Sequence, residues 1–128
     1  MLSSSFIKLM EVLPKPLVMK LAKMKVNGYM RKYAKINVKG LENIDKISGP
    51  KIFVCNHLSN SDGLVLNEVL KRYDPTFVAG VKLSNNPITS IGSMVVKKIS
   101  INPNTVDKDA IIKMGDILKS GNNLMIFP

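Results

Sequence analysis

The hydrophobic pattern along the chain changes character near residue 35. Before that point apolar positions recur at helical spacing; after it, short apolar runs alternate with helical stretches, punctuated by Gly, Pro and Asn. Residues 3–12 predict a short helix started by serines, which Pro14 and Pro16 interrupt. A second helix is expected over residues 16–34. There Lys20, Lys23, Asn27, Arg31 and Lys35 follow one another every three or four residues and form a polar, mostly basic stripe. Leu17, Val18, Leu21, Ala22, Met24, Tyr29 and Tyr33 occupy the rest of the helix surface. Residues 1–35 therefore read as an amphipathic two-helix segment joined by a proline bend.

From residue 36 onward, "INVKG" predicts a short strand ending at Gly40, and "LENIDKISGP" a loop. "KIFVC", residues 51–55, is a continuous apolar run of the kind buried on both faces of a sheet. "GLVLNEVLKRY" carries Leu66, Val69, Leu70 and Tyr73 at helical spacing. "TFVAGV" predicts a strand, "NNPITSIGSMVVKK" a helix starting near Pro87, and "ISI" at 99–101 another strand. A helix over 107–119 closed by Gly121 precedes "NLMIF", a buried strand. This alternation predicts an α/β domain over residues 36–128, a mixed sheet flanked by helices. A buried strand followed at once by the last residues, Phe127 and Pro128, suggests a truncated polypeptide.

Charge sharpens the first segment. Residues 1–40 carry eight Lys and Arg31 against Glu11 alone, a net of +8 out of the whole chain's +10. Basic charge gathered beside Leu, Met, Val and Ile points to an anionic lipid surface as partner. Nucleic acid is disfavoured, because four Phe, three Tyr and no Trp leave few stacking platforms and no known module is present. No stretch approaches the roughly 18 apolar residues of a membrane span. The opening residues lack the unbroken apolar core and small-residue cleavage site of an export signal, since Lys8 and Glu11 interrupt them. One Cys and one His allow neither an internal disulfide nor a four-ligand protein zinc site. This composition fits a reducing compartment.

The single histidine and the single cysteine fall together in "CNHLSNSDG", residues 55–63. The preceding strand delivers Asn56 and His57 to its C-terminal end, where ligands collect in open α/β sheets, and Asp62 sits where the next helix begins. Imidazole, whose ordinary pKa is about 6.5, accepts a proton from a hydroxyl as that hydroxyl attacks an electrophile. A carboxylate on the other ring nitrogen fixes the tautomer and favours the imidazolium that forms. Asp62 is placed either for this or for capping the helix. Cys55 and His57, two apart on a strand, share a face and permit a thiolate–imidazole pair; the alternative is a small apolar residue completing the strand.

These residues carry a resemblance. "NVKGLENIDKISGPKIFVCNHLSNSDGLVL" resembles the opening of the glycerolipid acyltransferase family, typified by 1-acylglycerol-3-phosphate acyltransferases, whose first motif is N-H-x-x-x-x-D after an apolar strand. Asn56, His57 and Asp62 match that motif, and "NNLMIFP" resembles the approach to a later one, in which Phe-Pro precedes Glu-Gly-Thr-Arg. The resemblance implies that His57 is the general base for a lysophospholipid hydroxyl and that Asp62 orients it. It also implies an acyl-CoA or acyl carrier protein as co-substrate, no other cofactor and no metal. Lipid substrates would give the basic helices a reason, as a peripheral anchor on the cytoplasmic face of the cell membrane.

Two departures stand out. The family's second motif supplies an arginine for the acceptor phosphate after a strand resembling "ISIN"; here Pro103 takes that position. Lys82, Lys97 and Lys98 are the nearby cations, and Lys82, at the C-terminal end of "FVAGV", is the preferred candidate, though a lysine lacks the bidentate fork of an arginine. If the polypeptide stops at Pro128, the Glu-Gly-Thr-Arg run expected next is missing. Two readings compete with a catalyst: a non-catalytic module that binds membrane surfaces, and an inactive fragment of such an acyltransferase.

Overall fold

A computed structural model of the chain describes residues 13–59, 61–80, 94–102 and 105–128. The chain divides into two compact units, one of residues 1–35 with 84–95 and one of residues 36–83 with 96–128.

In the first unit, helix α1 spans Lys15–Tyr33. Pro16 falls in its first turn, where a missing N–H leaves no bond unmade, and Arg31 and Lys32 fall in its last, where the helix dipole favours cations. Ala22 and Met30 are buried, whereas Leu17, Met24, Tyr29 and Tyr33 are exposed among Lys20, Lys23, Arg31 and Lys35. The Tyr29 and Tyr33 rings, one helical turn apart, pack at 4.7 Å between centroids, and the Lys32 ammonium lies over the Tyr33 ring. The helix expected at 3–12, and nearly all of the one expected near Pro87, lie outside the described residues.

The second unit is built on β1 (Ile52–Val54), β2 (Thr76–Gly80), β3 (Lys98–Ile101) and β4 (Leu124–Ile126), in the order β1-β4-β2-β3. Every pairing is parallel, so the expected mixed sheet is corrected to a parallel one. Each strand reaches the next through a long connection, as parallel neighbours require. The strand expected at 36–40 does not form. Ile36 and Val38 stay exposed, and Gly40, at φ +83°, instead starts the five-residue helix α2 (Leu41–Asp45) inside the expected loop.

In-register residues Phe53, Met125 and Phe77 point to one face of the sheet. Helix α3 (Asp62–Val69) and the 3₁₀ turn Lys71–Tyr73 cover that face, packing Leu66, Val69 and Tyr73 around the buried cluster of Leu70, Phe77 and Met125. Leu124 and Val78 alternate to the opposite face and are also buried; helix α4 (Lys108–Lys119) contacts β3 and β4. The path β1→β2→β3 runs one way across the sheet and β3→β4 returns, so right-handed crossovers place helices on both faces.

The "KIFVC" run is a strand, but not one buried on both faces. It forms the β1 edge, and Ile52 and Val54 remain 52% and 66% exposed while Phe53 packs inward. "NLMIF" supplies β4, one of the two central strands, with Leu124 and Met125 each 1% exposed. Asn123 holds its start in place: its amide oxygen accepts from the Lys51 N–H at 2.8 Å and its Nδ2 donates to the Tyr73 carbonyl at 2.6 Å. Asp107 caps α4, as the expected start at 107 requires, accepting from the Ala110 N–H at 3.0 Å. The same carboxylate accepts from the Asn102 backbone at 3.0 Å and so ties the helix start to the end of β3.

Candidate active site

Parallel strands bring all four C-terminal ends to one edge of the sheet, and the segment 55–62 leaves β1 at that edge. Cys55 still belongs to the ladder, its N–H donating to the Ile126 carbonyl at 3.2 Å. Beyond it the chain turns, and Asp62 becomes the first residue of α3.

Asp62 does not cap that helix. The cap position is Ser61, without a side-chain cap bond, and the Asp62 carboxylate reaches back into the loop instead. One oxygen, Oδ2, accepts three hydrogen bonds: from the Leu58 N–H at 2.7 Å, the Ser59 N–H at 2.7 Å and His57 Nδ1 at 3.0 Å. The Ser59 amide is the largest cause holding the Asp62 carboxyl below its ordinary range, followed among the lowering causes by the Leu58 amide and His57, with burial opposing them. Asp62 is therefore ionised at neutral pH. By linkage, its anchoring of the loop is fully present above the unfolded carboxyl's pKa of 3.8 and is lost as pH falls through the lower folded value.

An ionised acceptor at Nδ1 dictates the imidazole's proton arrangement. In the neutral ring Nδ1 carries the hydrogen and Nε2 keeps its lone pair. The His57 side chain is 47% exposed and that of Asp62 24%, so the pair is open on the histidine side. The ring's face rests on Phe127, just beyond β4, with centroids 4.5 Å apart and planes 27° from parallel. Sequence reasoning placed Phe127 in a motif and gave it no role at the site; a Phe one residue past a central strand, at the same sheet edge as the histidine, was the available signal.

The other sequence candidates divide. Asn56 is exposed beside His57, and its backbone carbonyl accepts from Cys55 Sγ at 3.4 Å. Cys55 packs against the Leu70–Phe77–Met125 cluster, so it is the small apolar residue that completes the strand. Lys82 and Pro103 lie outside the described residues. Lys97 and Lys98 do not approach the pair. Lys98 opens β3, three strand spacings from β1, or roughly 14 Å across the sheet. It also stands in register with the level of Phe53, below the C-terminal edge. Lys97 pairs with Asp74 at 3.0 Å, at the N-terminal end of the strands. Among the described residues no cluster of His, Cys, Asp or Glu has the makings of a metal site.

The structure thus places an imidazole bonded to a carboxylate at the C-terminal edge of a parallel α/β sheet. Residues 35–128 match the family model described as Acyltransferase, the 1-acylglycerol-3-phosphate acyltransferase-type domain, and the chain belongs to that family. Comparisons with curated proteins and with solved structures gave no match. Family membership supports acyl transfer as the class of activity.

Proposed function

We propose that this protein transfers an acyl group from an acyl thioester, acyl-CoA or acyl carrier protein, to the free hydroxyl of a lysophospholipid such as 1-acylglycerol 3-phosphate, in phospholipid biosynthesis. One observation carries the reading: in a chain of the acyltransferase family, the sole imidazole is held through Nδ1 by Asp62 and is about half exposed, and among the described residues Nε2 has no hydrogen-bond partner.

The chemistry follows from that lone pair. Nε2 takes the proton of the acceptor hydroxyl as its oxygen attacks the thioester carbonyl. The imidazolium is stabilised by the Asp62 carboxylate. Collapse of the tetrahedral adduct breaks the C–S bond, and the leaving thiolate recovers the proton from Nε2. The products are an ester and a free thiol, and His57 returns to its starting state. In this reading Asn56 contacts the substrate beside the base, and Lys82 meets the acceptor's phosphate as a point charge. The test is release of thiol from an acyl-CoA by the purified protein, followed with a thiol-reactive dye. Release that depends on added lysophospholipid is expected; release at the same rate without an acceptor would reject acyl transfer to a lipid alcohol.

The place of action in this proposal is the cytoplasmic face of the cell membrane. No helix among the described residues is long and apolar enough to cross a bilayer. The support is α1, whose exposed surface interleaves Lys20, Lys23 and Arg31 with Leu17, Met24, Tyr29 and Tyr33, basic groups for anionic headgroups beside apolar and aromatic side chains that suit the interfacial layer. Removal of residues 1–34 is expected to weaken cosedimentation with anionic vesicles by at least tenfold, on the order of 1 kcal/mol per lost basic residue near the surface. Undiminished cosedimentation would remove the anchoring role.

A further inference from the structure

Two side chains restrain the His57 ring, and they act in different directions. Asp62 holds it within its own plane, at Nδ1. Phe127 holds it perpendicular to that plane, through a stacked contact at 4.5 Å and 27°. A hydrogen bond to one ring nitrogen leaves the ring free to swing about that bond; a flat surface beneath the ring removes that freedom. Phe127 is itself anchored. It is half-buried, packs against the Leu70–Phe77–Met125 cluster, and its ring lies 6.3 Å from that of Phe77. Its backbone continues directly from β4, a central strand, whose Leu124 and Met125 are the most deeply buried large side chains among the described residues. The imidazole is thus referenced to the most deeply buried strand of the second unit, although it sits on an exposed loop.

We infer that Phe127 is a positioning residue for the reaction: its ring face sets the plane of the His57 imidazole and so aims Nε2 at the acceptor hydroxyl. This rests on the proposed general-base role of His57, and it adds a requirement that role alone does not carry, namely an aromatic face at position 127. Stacking also favours the ring when it carries charge, because an imidazolium over a π-face gains a cation–π attraction. That attraction exists in the transition state, where the proton has moved to Nε2, and is weak in the neutral ground state. Loss of the aromatic face therefore lowers kcat more than it raises KM.

The chain contains a single histidine, which makes the test direct. In proton NMR of the full chain, the two carbon-bound ring protons of His57 belong to one resolvable spin pair, and a phenyl ring stacked on the imidazole displaces them upfield. The expected result is an upfield displacement in the unmodified protein that disappears in Phe127→Leu and persists in Phe127→Tyr. Turnover is measured beside it. Phe127→Leu is expected to lose roughly tenfold to a hundredfold in kcat, the scale of a misaimed catalytic group, with KM changed by less than threefold, and Phe127→Tyr to restore it. Leu keeps the position apolar, and equal thermal midpoints for the three proteins separate aiming from folding. Ring protons at ordinary shifts in the unmodified protein overturn the proposal even if neither variant folds. So does a Phe127→Leu protein with unchanged kcat. The general-base reading fails by a separate result, continued turnover in a His57→Ala protein, which leaves the NMR displacement intact in the unmodified chain.

Discussion

Replacement of His57 by alanine is expected to lower kcat for acyl transfer by roughly 10²–10⁴-fold, the usual contribution of a positioned general base. Vesicle binding and the thermal midpoint should stay where they are. The side chain is 47% exposed, lies at the loop end of an edge strand and contributes one hydrogen bond to a carboxylate that keeps two others, from Leu58 and Ser59. Truncation therefore removes the proton acceptor and leaves the frame that presents it. Steady-state thiol release at saturating acceptor reads the effect; a rate within threefold of the unmodified protein would show that the proton goes elsewhere. The competing reading, a membrane-binding module without catalysis, predicts the same vesicle binding with no turnover in either protein. Turnover by the unmodified protein therefore rejects that reading.

The parts of the molecule that were legible in the sequence are those where local and global forces agree. "NLMIF" is apolar at every position but its first, and it became a central strand, flanked by β1 and β2 and buried on both faces. The start of α4 at Asp107 and its end near Gly121, φ +80°, follow local capping chemistry that needs no tertiary partner. Where tertiary context decides, the reading failed. "KIFVC" is as apolar as a central strand but pairs on one side only, and nothing within five residues encodes how many neighbours a strand has. "INVKG" alternates like a strand, yet alternation fixes which face a residue points to and not whether a partner stands beside it. The left-handed Gly40 then commits the following residues to α2, which Arg72 and Tyr73 hold: the Tyr73 hydroxyl donates to Asp45 at 2.7 Å and lies 3.2 Å from the Leu41 carbonyl. Those partners are 28 and 32 residues apart in sequence, beyond the reach of any local pattern.

The site shows the same division. The spacing of His57 and Asp62 exposed the pair, while the direction of the Asp62 side chain, into the loop and not onto its own helix, goes with the Leu58 and Ser59 amides that donate to it. Those amides carry no side-chain signature, so sequence left both roles of Asp62 open. Phe127 escaped for a related reason, since its contact with His57 crosses 70 positions and depends on β1 and β4 being neighbours.

Those two amides also bear on what substitution at Asp62 will do. Where asparagine presents its NH₂ to the histidine, the proton is forced onto the wrong ring nitrogen, at a cost of about 10⁴-fold. Here such a rotation would press the NH₂ against the Leu58 and Ser59 N–H groups, each 2.7 Å from the oxygen it would replace. Asp62→Asn is therefore expected to keep its oxygen at the three-donor position and preserve the Nδ1–H tautomer, losing only the negative charge that steadies the imidazolium. A charge-assisted hydrogen bond is about twice as strong as a neutral one, and the loss in kcat should be correspondingly modest, roughly tenfold to a hundredfold. Asp62→Ala removes the acceptor altogether. It hands the Leu58 and Ser59 amides to solvent and leaves the ring without its in-plane restraint, and should approach the His57→Ala rate. Nitrogen-15 NMR of the sole imidazole reads the tautomer independently of turnover. A His57 ring that switches to the Nε2–H form in Asp62→Asn, or an asparagine variant as slow as the alanine one, would show that the loop amides do not dictate the orientation at position 62.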